Sequence, residues 1–235
     1  MTTPTYGLIG RGRVARHIAR YLDLEGLRHI VWHRGMSDGA ECVLGDAEII
    51  LLAISDDSIA GFPADHPALC DRRMVHFSGS LVVGGVAGLH PLMTFGPELY
   101  DHETYRSVPF VTERGGVGFR EVFPSLENPC RAIDPELKPL YHALCVLAGN
   151  VTTILWDKAG DDFEHRLGLP REFLNPFLDR TATNTFELGS EALTGSLARG
   201  ERGTIRRDLE GLEGDPFCRV YRAVVEAIAD REVRT

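Results

Sequence analysis

Tyr6-Gly7-Leu8-Ile9-Gly10-Arg11-Gly12-Arg13-Val14-Ala15 is the stretch on which the fold turns. Tyr6–Ile9 is a short apolar run, predicted to be a strand, and it leads directly into the pattern G-x-G-x-x-G/A. From Arg13 to Leu22, Val14, Ile18, Tyr21 and Leu22 fall on one helical face. The small residues have separate tasks. Gly10 permits a tight turn, Gly12 lets the backbone approach a pyrophosphate, and Ala15 lets the helix pack on the strand. The helix N-terminus beginning at Arg13 and Val14 offers unpaired N–H groups and the positive end of a dipole. Glycines in this order are a weak signal alone. Between a strand and an amphipathic helix, with a second strand predicted at His29–His33, they predict a dinucleotide-binding βαβ unit.

Working outward, short apolar runs alternate with helical patterns. Ala47–Ile54 is apolar almost throughout, as expected of a strand covered on both faces of a parallel sheet. Asp56–Phe62 reads as a short helix capped by Asp56 or Asp57, and Arg73–Phe77, Val86–Leu89 and Val108–Thr112 as further strands. This alternation predicts an α/β doubly wound sheet of Rossmann type. Beyond Glu136 the pattern is helical: Glu136 to Leu167, Pro170 towards Gly189, Thr204–Leu212 and Phe217–Glu232. Pro124, Asn128, Pro129 and Pro135 cluster between the two halves. The expected organisation is a nucleotide-binding domain over residues 1–130 and an all-helical C-terminal domain over 131–235.

Hydrophobic residues make up 43% and charged residues 25% of the 235, ordinary values for a soluble globular protein. The net charge of −9 argues against a nucleic-acid partner. Cys42, Cys70, Cys130, Cys145 and Cys218 are scattered, with no CxxC pair, so neither a disulfide framework nor a metal site is expected. The first residues carry no basic segment followed by an apolar run, and Ala47–Ile54 is too short to span a bilayer, so a cytoplasmic protein without a membrane segment is expected. Lys138 and Lys158 are the only lysines, and Lys158 reads as solvated helix surface.

The end of the second predicted strand bears on the choice of cofactor. An acid there would bind the ribose 2′-hydroxyl of NAD, but this chain has Trp32-His33-Arg34-Gly35. Arg34 can hold a 2′-phosphate through a charge-assisted fork, with Arg11 and Arg13 adding positive potential, so NADP(H) is expected. The alternative is a solvated loop arginine. Ile54, Ser55 and Asp56, at the carboxyl edge of the sheet, and Ser78 and Gly79, after the Arg73–Phe77 strand, are expected to border the cofactor.

Several motifs in order then resemble one family. The opening GLIGRGRVA, SDDSIA at 55–60, HFSGS at 76–80, HPLMTF at 90–95, YHALCVLAGN at 141–150 and ALTGSLARGE at 192–201 are similar to the alternative ketopantoate reductases, within the 6-phosphogluconate-dehydrogenase-like superfamily. The chain departs from the family pattern at Met93 (Gln in the family), Ser196 (Pro) and Glu201 (Asp), and between Ser80 and His90 it is shorter. These departures bear on substrate more than on fold. The resemblance implies NADPH-dependent reduction of a small 2-keto acid, ketopantoate first, in an active site between two domains, with a homodimer built on the C-terminal helices. It also places Asn150 at the substrate. Imine reduction, of a pyrroline carboxylate for instance, and non-catalytic NADP(H) binding stand as alternatives.

The residues suited to such chemistry have structural alternatives. His90, before Pro91 at a strand end, can donate a proton or fix the loop. His142, on the same predicted helix as Asn150, can face the substrate or be an interior histidine. Arg199, in a Gly-flanked loop, suits a carboxylate, or pairs with Glu201 or Glu191. Thr194 caps a helix or touches substrate, and Asn184 is a secondary candidate.

Overall fold

A computed structural model of the chain describes residues 3–232. The expected α/β fold with a helical C-terminal region is what it shows. The strands are β1 (Tyr6–Ile9), β2 (His29–Trp32), β3 (Ile49–Leu52), β4 (Arg73–His76), β5 (Val86–Pro91), β6 (Phe110–Glu113) and β7 (Cys130–Ile133). They form a sheet of order β2-β1-β3-β4-β5-β6-β7, parallel except where β5 meets β6. The order reverses beside β1, which puts the topological switch point at its carboxyl end.

Between the strands run α1 (Arg13–Leu24), α2 (Ala40–Val43), α3 (Asp56–Ile59), α4 (Phe62–Asp65), α5 (His102–Ser107) and α6 (Phe119–Val122). The predicted helix Asp56–Phe62 is thus two short helices. Ser55, not an aspartate, stands at the N-cap position of α3, without a capping bond from its side chain, and the Asp56 carboxylate accepts from Ser78 instead.

Period-two alternation divides the core. Leu8, Leu51, Val75 and Leu89 face α1 through Ile18, Tyr21 and Leu22. Ile9, Ile50, Leu52 and Met74 face the other way, against Leu44, Ile59 and Phe62. Buried polar bonds tie the antiparallel half of the sheet to α1. Tyr21 donates its hydroxyl to Asn128 Oδ1 at 2.6 Å, and Asn128 Nδ2 donates to the carbonyls of Tyr105 and Val108. His17 Nε2 lies 3.0 Å from the Gly96 carbonyl, with Tyr105 on its Nδ1, which anchors the end of the HPLMTF segment.

The chain then continues as α7 (Lys138–Val146), a π-helical turn Leu147–Val151, and α8 (Thr152–His165). After these come α9 (Asn175–Leu188), α10 (Gly195–Ala198), α11 (Arg202–Gly211) and α12 (Phe217–Glu232). Two compact units result, dividing between Thr153 and Ile154. The first takes in more than residues 1–130: Cys130–Ile133 adds β7 to β6, and α7 follows within the same unit. The run Pro135–His165 is also, among the described residues, the one helix long and apolar enough by length and composition to cross a membrane. Ala47–Ile54 is therefore not the segment on which that question turns.

In the second unit, Lys158 differs from its reading as solvated surface. Its ammonium bonds Asp162 one turn on and Asp215 at 2.8 Å, and it lies 5.4 Å from the Phe217 ring centre. Arg166 joins the same two carboxylates, so α8 is pinned to the start of α12 by a charge network.

Candidate active site

The first unit holds a cleft of about 860 Å³ at the carboxyl ends of β1 to β4. Gly10 turns the chain out of β1 at φ 133°, a conformation reserved for glycine, and a Cβ there would stand 2.2 Å from the Ala53 carbonyl oxygen. At Gly12, the N-cap of α1, a Cβ would meet nothing within 4 Å, which leaves the backbone open to the cleft. Ala15 is buried against the strand. These are the three conditions for seating a pyrophosphate on a helix N-terminus.

Gly10, Arg11, Gly12, Arg13, Val14, Arg34, Ile54, Ser55, Asp56 and Ser78 all line this cleft. Arg11, Arg13 and Arg34 are exposed and enter no ion pair among the described residues, so their charge stays available to an anion. Arg34 Nη2 reaches Ser58 Oγ only at 3.5 Å. Two further residues were not anticipated. His33 accepts a hydrogen bond from the Gly35 amide on Nδ1, at 3.1 Å, and so carries its proton on Nε2 when neutral. The His66 ring lies tilted against Phe62, centroids 4.3 Å apart, and is held by Glu41, giving the cleft an aromatic wall beside Trp32. The dinucleotide pattern, the empty space at Gly12 and the cationic rim fit one another.

Asp56 accepts from the Ser78 hydroxyl at 2.7 Å and lies 3.4 Å from that of Ser80. Ser78 Oγ in turn accepts the amides of Ser80 and Leu81. The turn Ser78-Gly79-Ser80 is thereby drawn against α3 at the end of the cleft.

Next to it lies a cluster of titratable groups that the strand register assembles. His76 pairs with Gly88, and His90 with Val111, so His76, Gly88, His90 and Glu113 share one sheet face. On α7, Lys138, Tyr141 and His142 share one helical face at spacings of three and four. Lys138 is 4% exposed and bonds Glu113 Oε1 at 2.7 Å; a Cβ on Gly88 would stand 2.4 Å from its Nζ. His90 Nδ1 lies 2.7 Å from the Tyr141 hydroxyl, and the rings of His90 and His142 stand perpendicular, 6.2 Å apart. Gly79 leaves the space between them, since a Cβ would be 2.6 Å from His142 Cδ2 and 3.1 Å from His90 Nε2.

Burial keeps His76 and His90 neutral. His76 is pushed down to about 4 by desolvation, helped by the charge of Lys138. His90 is likewise pushed down to about 4, first by desolvation and then by His142 and Lys138. Desolvation pushes the Tyr141 phenol up, so it keeps its proton. His76 accepts the Ser78 amide on Nδ1, and its buried Nε2 has no partner among the described residues.

The other candidates lie elsewhere. Asn150 is exposed on the π-helical turn of the first unit. Thr194, Asn184 and Arg199 belong to the second unit. Arg199 is exposed and bonds Glu201 at 2.6 Å, the pairing weighed as its structural alternative. Thr194 occupies the N-cap position of α10 without a capping bond from its side chain, and Asn184 is half-buried on α9. No cluster of three or more His, Cys, Asp or Glu suited to a metal occurs among the described residues.

The fold defines a Rossmann-type α/β protein. Residues 116–228 match the family model described as a domain of unknown function, DUF2520. Among solved structures, the chain resembles the Bacteroides fragilis protein BF3122, described as an NADP oxidoreductase. Identity is 22% and the TM-score 0.75, over 97% of this chain and 98% of that one. Protein TM1727 of Thermotoga maritima is similar at 19% identity and TM-score 0.66, over 98% and 100% of the two chains. Pyrroline carboxylate reductase of Plasmodium falciparum, with NADP bound, is similar at 13% identity and TM-score 0.59, over 97% of each chain. These likenesses establish the shared fold. None of the curated proteins gives a match.

Proposed function

We propose that the protein is an NADPH-dependent reductase of a small 2-keto acid, ketopantoate being the first candidate. The observation that carries this reading is the cleft: a dinucleotide turn with its conformational and spatial requirements met, rimmed by unpaired arginines and ending beside the neutral imidazoles of His76 and His90. Arg34, with Arg11 and His33 near it, takes the 2′-phosphate. The bound cofactor supplies hydride. The chain's part is to seat it through Gly10–Ala15, to hold the turn at Ser78-Gly79 through Asp56, and to present a hydrogen-bond donor to the substrate oxygen from His90 or His142. The motif resemblance supports Asn150 and Arg199 as substrate contacts, with Thr194 and Asn184 secondary.

A cyclic imine is the second substrate class, supported by the resemblance in fold to pyrroline carboxylate reductase. The reading includes a homodimer: Leu140, Leu144 and Leu147 form an exposed stripe, and Phe177 and Phe186 are exposed on α9. The test is to titrate the purified protein with NADPH, then follow its oxidation with ketopantoate, other 2-keto acids and pyrroline carboxylate. Turnover with a 2-keto acid supports the first reading and turnover with the imine the second. NADPH affinity without turnover leaves a cofactor-binding protein, and absence of NADPH binding overturns all three.

A further inference from the structure

The hydrogen bond between Tyr141 and His90 has two possible directions, and the surroundings choose one. Tyr141 keeps its phenolic proton, because burial disfavours the phenolate. Two groups face that hydroxyl: His90 Nδ1, at 2.7 Å, and the thiol of Cys145 one turn along α7, whose sulfur is a weak acceptor. If the imidazole donated from Nδ1, the phenolic proton would be left in a half-buried site with only the weakly accepting Cys145 sulfur, a poor exchange for an imidazole nitrogen. If the phenol donates, both groups are satisfied and the imidazole proton lies on Nε2. That nitrogen makes no hydrogen bond among the described residues. It lies against Gly79, where a Cβ would come within 3.1 Å of it, one residue beyond Ser78 on the cleft wall.

We propose that Tyr141 is a positioning residue, whose hydroxyl donates to Nδ1 of His90 and locks the ring as the Nε2–H tautomer, presenting one N–H beside Gly79 to the oxygen of a substrate carbonyl or its equivalent. This rests on the reductase reading for its consequence, but the tautomer itself is a property of the protein alone. A neutral imidazole in this role stabilises developing negative charge by hydrogen bonding and does not surrender its proton. The titratable groups facing His90 are Tyr141, His142 and Lys138 from α7, His76 from β4 and Asp56 from α3. His142, Lys138 and His76 oppose a charge on the ring and Asp56 favours one; with burial, the balance keeps the ring neutral. Gly79 is part of the arrangement, because any larger residue would fill the space in front of Nε2.

The experiment is a long-range ¹H–¹⁵N correlation spectrum of the full-length ¹⁵N-labelled protein, with His90 assigned by loss of its signals in His90→Gln. The expected spectrum shows His90 neutral and protonated on Nε2 from pH 8 to pH 5.5. In Tyr141→Phe the Nδ1–H form becomes populated. An Nδ1–H tautomer in the unmodified protein overturns the proposal, and so does an unchanged tautomer in Tyr141→Phe. With whichever substrate oxidises NADPH, Tyr141→Phe should lower kcat about tenfold and leave KM within about twofold, as expected for one displaced transition-state hydrogen bond. A protein that turns over no substrate counts against the reductase reading, while the spectrum still decides the tautomer.

Discussion

Ser78 donates its hydroxyl to Asp56 Oδ2 at 2.7 Å, joining the segment after β4 to α3 at the far end of the dinucleotide cleft. Ser78 is buried and its Oγ also accepts two amides, so one hydroxyl organises the whole turn. Ser78→Ala removes one donor and an acceptor for two backbone N–H groups. It should lower stability by about 1–3 kcal/mol and weaken NADPH binding. Chemical denaturation and a cofactor titration read the two effects. A stable variant with normal affinity would show that the turn is held by its backbone alone.

Arg34 is exposed at the cleft and nearly unpartnered, with Ser58 Oγ at 3.5 Å. Arg34→Ala should weaken NADPH about ten- to hundredfold and NADH little, because only the former offers a phosphate for a charge-assisted fork. Isothermal titration with each nucleotide measures the difference. Equal losses would remove the phosphate argument.

The sheet and the cofactor cleft were legible in the sequence because their signals are local. A glycine pattern sits within ten residues, and Ala47–Ile54 is apolar at nearly every position. The edge strand Cys130–Ile133 was not legible: it lies among prolines, half of it is exposed, and it passes for a linker. The buried cluster was half legible. His90 and His142 stood out as histidines, but Lys138, Glu113 and His76 come from three elements far apart in the chain, joined only by strand register and the docking of α7. Lys158 looks like solvated surface in the sequence because the second of its two carboxylate partners, Asp215, is 57 residues away. The one available signal was periodicity: His76, His90 and Glu113 on alternating strand positions, and Lys138, Tyr141 and His142 on one helical face.

The neutral histidines predict an acid-sensitive fold. His76 is held near 4 in the folded protein, against about 6.5 for an unfolded histidine. Between those values the unfolded chain takes up a proton that the folded chain refuses, so stability falls as pH drops through 6.5 and the loss levels off near 4. Above pH 6.5 this group contributes no pH dependence. The loss from His76 amounts to at most roughly 3 kcal/mol, and His90 adds in the same direction. Urea unfolding between pH 7.5 and 4.5 should show the decline, and His76→Asn should flatten it. A wild-type curve flat over that range would mean that these rings are hydrated in solution.

Lys138 and Glu113 test whether the buried pair is an electrostatic necessity or a stabilising contact. Both side chains are largely withdrawn from solvent, at 4% and 12% exposure, and Gly88 leaves the space they occupy. Removing one partner strands a charge: Lys138→Met should cost about 3–5 kcal/mol at pH 7, and Glu113→Leu a similar amount. Removing both strands none, so Lys138→Met combined with Glu113→Leu should recover most of either loss. Lys138→Met alone should also relieve His76 of a neighbouring cation that helps keep it neutral, shifting its acid transition to higher pH. In the double variant the loss of Glu113, which favours the charged ring, opposes that shift. Denaturant unfolding of the four proteins completes the cycle. Additive losses would show that the two charges are solvated independently, and would remove Lys138 from the account of why His76 and His90 stay neutral.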